Sequence, residues 1–119
     1  MLIPRPPLRR LYVRGSTHRV EGGFEFTLRN ELATATLVSP LELKVGGEVV
    51  DPENIASAWS GGELKTSEMS PDKPFRFQSG SEVVVRMLGR EVSGRVKVGI
   101  CAETGEYGRL CFDFENKVR

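Results

Sequence analysis

Histidine is nearly missing from this chain, with His18 alone, and cysteine is limited to Cys101 and Cys111. A zinc site, a Ser-His-Asp arrangement or a Cys-His pair needs more of these residues, at ligand or hydrogen-bonding spacing. His18 has no such partner near it in the sequence and reads as a solvated loop residue between two strands. Two cysteines are too few for a disulfide framework. No apolar run approaches the roughly 18 residues that cross a bilayer. The first ten residues place arginines and prolines where a secretory leader would carry an apolar core, so the expectation is a cytoplasmic protein. Net charge is also lacking: 17 basic residues face 16 acidic ones, which makes a polyanion or an acidic membrane surface no natural partner. Asparagine and glutamine are scarce (Asn30, Asn54, Asn116 and Gln78), a bias that suits a thermophile. Gly-rich phosphate loops are absent, and no catalytic, cofactor-binding or metal-binding residue is expected.

Period-two alternation is what the sequence does have. In Arg95–Phe114, Val96, Val98, Ile100 and Ala102 alternate with polar or small residues, as do Leu110, Phe112 and Phe114 after a Gly-containing break. Two such runs describe an antiparallel hairpin with one buried face. Setting Ala102 opposite Phe112 and Ile100 opposite Phe114 requires a loop with an odd number of residues. Glu106-Tyr107-Gly108 fits, with Gly108 in the left-handed conformation. In that register Cys101 faces Asp113 and Cys111 faces Glu103. The cysteines are then diagonal neighbours with Cβ atoms about 7 Å apart. A disulfide needs about 3.8 Å, so the pair reads as two reduced side chains unless the pairing changes.

Further strands are expected at Leu8–Arg14, with Tyr12 on the face opposite Leu11 and Val13, and at Phe24–Arg29, with Phe24, Phe26 and Leu28 inward. Thr36–Val45 continues across Pro40 and turns at Gly46-Gly47 into Glu48–Val50. Ile55–Trp59, Leu64–Thr66, Phe75–Phe77 and Glu82–Leu88 follow, the last with Val83, Val85 and Met87 inward. Ser67–Pro74 has room for one helical turn at most. Residues 1–7 hold three prolines and form an extended arm. The spacing of turns favours a single all-β domain over residues 1–119: an antiparallel β-sandwich of seven to nine strands, or a squat barrel.

Candidate contact residues follow from exposure and chemistry. Trp59, Tyr12 and Tyr107 are aromatics that could stack on a sugar ring, which makes a carbohydrate-binding module the alternative to an accessory domain. Glu103 and Asp113 lie on the outer face of the C-terminal hairpin, where carboxylates serve as solvent-facing charges or a docking surface. Arg5, Arg9, Arg10, Arg14 and Arg19 make the N-terminal end basic. Without a series of exposed aromatics, a solvated face or a docking surface for an acidic partner suits that end better than nucleic acid. The 1–7 arm and Pro71–Phe77 are candidate clasping segments.

Gly23-Phe24-Glu25-Phe26, Leu28-Arg29-Asn30, Leu43-Lys44-Val45-Gly46-Gly47-Glu48 and Glu106-Tyr107-Gly108-Arg109-Leu110-Cys111-Phe112 are together similar to the small β subunit of the C-glycoside deglycosidases. Phe77, Gly80, Val83, Val85, Val96 and Val98 extend the similarity. The resemblance implies an antiparallel sandwich that is not catalytic by itself and packs on a larger, metal-dependent barrel enzyme. The chain departs from that family at Glu31–Thr36, which lacks its aromatic-and-arginine segment. The expected role is therefore a non-catalytic accessory or assembly domain, with a larger enzyme subunit or a second copy of the chain as partner. A stand-alone homo-oligomer is the remaining alternative.

Overall fold

A computed structural model describes residues 8–119; the 1–7 arm lies outside the described residues. Among them run eleven strands: β1 (His18–Val20), β2 (Gly23–Arg29), β3 (Ala35–Leu37), β4 (Glu42–Val45), β5 (Glu48–Val49), β6 (Ile55–Trp59), β7 (Gly62–Lys65), β8 (Phe75–Phe77), β9 (Glu82–Leu88), β10 (Arg95–Thr104) and β11 (Gly108–Lys117). All pairs are antiparallel. They form two sheets and not a closed barrel. One sheet has the order β1-β2-β9-β6-β7. In the other, β10 carries β11 on one side and both β4 and β3 on the other, with β5 and β8 outside them. The strand count exceeds seven to nine because several are two- to four-residue edge pieces.

Alternation places the core between the sheets. Phe24, Phe26, Leu28, Ile55, Val83, Val85 and Met87 of one inner face meet Leu37, Leu43, Val45, Phe75, Phe77, Val98, Ile100 and Phe114 of the other, all buried. Apolar residues at every second position bury one row and leave the other in water. Asn30 ties the two layers together. Its side chain is buried, donates to the Phe77 and Ala33 carbonyls at 2.9 and 3.0 Å, and accepts from the Leu32 N–H. A buried amide with its hydrogen bonds made fixes how β2 meets β8.

Several sequence expectations change. Leu8–Arg14 is not a strand: Leu8–Leu11 is a 3-10 turn, closed by the Tyr12 N–H on the Arg9 carbonyl, and Tyr12 joins β2 through an isolated bridge to Leu28. Thr36–Val45 splits into β3 and β4, which pair with different parts of β10 on either side of Pro40. Phe75 and Phe77 are buried with Arg76 exposed, so the Pro71–Phe77 segment ends in a core strand and only residues 71–74 lie outside it on the surface.

The register of the C-terminal hairpin also differs. Ala102 pairs with Leu110, Ile100 with Phe112, and Cys101 with Cys111, at a Cα separation of 4.1 Å. The loop is still odd and Gly108 is left-handed (φ 70°), but the loop residues are Gly105–Tyr107. Buried Thr104 closes it one residue early: its hydroxyl accepts the Tyr107 N–H and donates to the Gly108 carbonyl, both at 2.9 Å. The two cysteines therefore lie directly opposite each other and form a disulfide, which replaces the expected reduced pair.

Candidate functional site: the outer face of the hairpin sheet

Positions 97, 99, 101 and 103 of β10 face away from the core, as do 109, 111, 113 and 115 of β11 and 42 and 44 of β4. Their side chains form rows of charge running across the strands. Arg109 binds Glu42 and, at 3.2 Å, Glu103, linking all three strands at one end. Arg9, from the 3-10 turn, donates to the Asp113 carboxylate at 2.8 Å and to its backbone carbonyl at 3.2 Å, and Lys97 approaches the same carboxylate at 4.0 Å. Arg95 and Glu115 pair at 3.0 Å near the other end. Between these rows lies a groove of about 660 Å³, lined by Arg9, Lys44, Gly99, Arg109 and the disulfide. Each exposed pair contributes little to stability, but together the pairs hold the charges in a fixed pattern.

Two carboxylates are shifted by this arrangement. The hydrogen bond from Arg109, and then its charge, hold Glu42 below the ordinary carboxylate range. Glu106, at the hairpin loop, is held down by bonds from the Thr36 backbone N–H and then the Thr36 hydroxyl, at 2.8 and 2.9 Å. A carboxylate depressed in the folded state adds stability that is fully present above its unfolded pKa. That stability is lost as pH falls from there through the folded value. An NMR titration should show both glutamates titrating below a glutamate of the unfolded chain. Arg109→Gln should move Glu42 back upward and leave Glu106 in place; equal movement of both would refute the assignment of causes.

Among the expected contact residues, Glu103 and Asp113 do share this face, in rows four residues apart along β10, and each is paired with its own cation. The three aromatics do not converge. Tyr12 stacks on Phe114 at 3.8 Å, meets Phe26 edge-on, and bonds the buried Thr17 hydroxyl at 2.6 Å, so it is core packing. Trp59 is half-buried against Phe75 at 4.8 Å, and a Cβ on Gly61 would fall 2.7 Å from its indole nitrogen. It lines a separate shallow groove with Arg76, Gln78 and Glu82. Tyr107 alone is open, at the hairpin tip. Three dispersed rings offer no common platform for a sugar.

His18 is also repositioned. It sits on edge strand β1 opposite Glu25, with Nε2 2.8 Å from that carboxylate and Nδ1 2.9 Å from the Ser16 carbonyl, and Arg86 holds the second Glu25 oxygen at 3.0 Å. A partner seven residues away becomes a neighbour because β1 and β2 form a hairpin. Glu42, Lys44 and Arg109 were not singled out as contacts by sequence reasoning, and Arg9 was named only as one of the basic residues of the N-terminal end. Glu42 and Lys44 do alternate with buried Leu43 and Val45, which marks them as outward residues of a paired strand. Among the described residues no group of three or more His, Cys, Asp or Glu side chains is placed to hold a metal ion. None of their helices is long and apolar enough to cross a membrane.

Fold and face together define an antiparallel β-sandwich that presents a grooved, mixed-charge sheet surface ordered by ion pairs. The family described as "Hydroxymethylglutaryl-CoA reductase, N-terminal domain" matches residues 7–119, and the chain belongs to that family. A search of curated proteins found no match. The family match overturns the resemblance to the C-glycoside deglycosidase β subunit. The stretches that suggested it, such as Gly23–Phe26 and Leu43–Glu48, are alternating strands and Gly turns, and any antiparallel sandwich needs these.

Proposed function

We propose that the chain is a non-catalytic accessory domain of a hydroxymethylglutaryl-CoA reductase, and that it packs on the larger part of the enzyme that carries the chemistry. The family match over residues 7–119 carries this reading. The surface assigned to the contact is the outer face of β4, β10 and β11. Its charges are already ordered by cross-strand pairs, so docking there would cost little side-chain entropy. A fixed pattern of alternating sign also selects its complement and rejects other surfaces. In this reading residues 1–119 act as one domain, with Glu103 and Asp113 as interface residues.

Co-expression with the catalytic reductase chain of the same genome tests the reading. The two should co-elute in size exclusion at micromolar concentration. Arg109→Glu, which sets a third acid beside Glu42 and Glu103, should weaken the association by about tenfold or more. Separate elution of two well-folded chains would sink the proposal.

A further inference from the structure

The disulfide lies on the solvent side of the β10–β11 hairpin, whereas Ile100 and Phe112, the neighbouring pair, face the core side. Cys111 is exposed and Cys101 half-buried, and both line the charged groove. Gly99 contributes no side chain to that groove, which leaves space beside the bond. Ten backbone pairs, from Arg95 with Lys117 to Thr104 with Gly108, hold the hairpin whether or not the sulfurs are joined. The bond is therefore accessible, and opening it leaves the strand pairing intact.

We propose that Cys101–Cys111 is a thiol–disulfide exchange site at which a low-molecular-weight thiol is captured on Cys111. Exchange proceeds in line with the sulfur–sulfur bond, so the two sulfurs are approached from opposite sides. The path to Cys111 comes from beyond β11, which pairs with β10 alone among the described strands and whose outer edge meets the 3-10 turn at Asp113, two residues from the exposed Cys111. The path to Cys101 crosses β4, where Glu42 stands directly opposite and is bridged by Arg109 to Glu103. That bridge of side chains stands across the approach to Cys101.

The leaving group is favoured in the same direction. The incoming thiolate forms a bond to the Cys111 sulfur, the Cys101–Cys111 bond breaks, and its electron pair departs on Cys101 as a thiolate. That thiolate remains in a groove lined by Lys44 as well as by Glu42 and the Arg109 that bridges it, and a cation such as Lys44 lowers the basicity of a thiol and makes it a better leaving group. The product is a mixed disulfide on Cys111 and a reduced Cys101, with no net change in the number of disulfides. Return attack by Cys101 releases the captured thiol, so the modification is reversible.

Coenzyme A and glutathione share the required chemistry, and only the coenzyme A arm of the test rests on the reductase reading. The chain is incubated with each thiol without denaturant, quenched with iodoacetamide, and examined by intact mass and peptide mapping. The expected product carries the thiol on Cys111 and the alkyl tag on Cys101, exceeding the reverse product by about tenfold or more. As a second route, Cys101→Ser should take up glutathione from its disulfide on Cys111 while keeping the circular dichroism of the parent. Adduct formation with coenzyme A or with glutathione supports the site, and formation with glutathione alone counts against the reductase as the source of the thiol. No adduct from either thiol on folded protein, or modification mainly at Cys101, would overturn the inference.

Discussion

Gly23→Ala should strip β2 from β9 at its first pair and destabilise the protein by about 3 kcal/mol or more, at or beyond the upper end of ordinary overpacking. A Cβ at position 23 would lie 1.8 Å from the Met87 carbonyl oxygen and 2.9 Å from its carbon. The obstacle is backbone, so no rotamer change relieves it. Gly23 pairs with Leu88 on one side and with Val20 on the other, where it begins the return from β1. The alternatives are to part β2 from β9 or to move the whole β1–β2 turn. Either breaks the line that sets Phe24 against Met87. Denaturant unfolding measures the loss, and amide exchange should show it first at Met87 and Leu88. A substitution costing less than about 1 kcal/mol would mean that this close approach does not exist in solution.

Phe26→Ala is expected to cost about 3–5 kcal/mol, the range for removing a fully buried phenylalanine. Phe26 has no exposed surface and meets the rings of Phe114 and Tyr12 at 5.0 and 6.3 Å, both edge-on, while those two stack on each other at 3.8 Å. The three rings come from different places: β2 of one sheet, β11 of the other, and the N-terminal segment. Removing the central ring therefore loosens both layers and the segment across their end. At about 4 °C or more per kcal/mol, the melting temperature should fall by more than about 10 °C. Tyr12→Leu is the informative companion, since it keeps the volume and loses the stack and the Thr17 bond. A Phe26→Ala loss no larger than that of Tyr12→Leu would contradict the central position given to Phe26.

The strands that could be read from the sequence are those with one wet face and one dry face. β2, β9, β10 and β11 alternate over seven to ten residues, and burial enforces the alternation residue by residue. A slip of one residue would turn that pattern inside out, but a slip of two preserves it. The hairpin register therefore escaped sequence reasoning, and the disulfide with it. What decides the register is Thr104, whose hydroxyl closes the loop, and no hydrophobic pattern records that. β1 was missed because His18-Arg19-Val20 lies on an edge with little to bury. Leu8–Leu11 was misread because two leucines three apart around two arginines suit a 3-10 turn, which the strand reading ignored. The outer face was legible in part: Glu103 and Asp113 follow from parity alone. Their partners Arg109, Glu42 and Arg9 depend on which strands adjoin β10, which is topology.

The position of β10 has a consequence for synthesis. Leu43 and Val45 of β4 find their partners in Ile100 and Val98, and Leu37 of β3 pairs with Phe75 while its strand meets β10 only at Thr104. A ribosome adds residues at about 5–20 per second, so β4 emerges several seconds before the strand that covers it. During that interval its apolar row has no sheet to join, and β5 is too short to shelter it. Until the Val96–Ile100 stretch clears the exit tunnel β4 lacks its partner strand, and the sheet built on β10 closes last, after every strand of the β1-β2-β9-β6-β7 sheet has been made. Slowing translation just before Arg95 would lengthen that vulnerable interval, whereas slowing it after Lys117 would leave it unchanged.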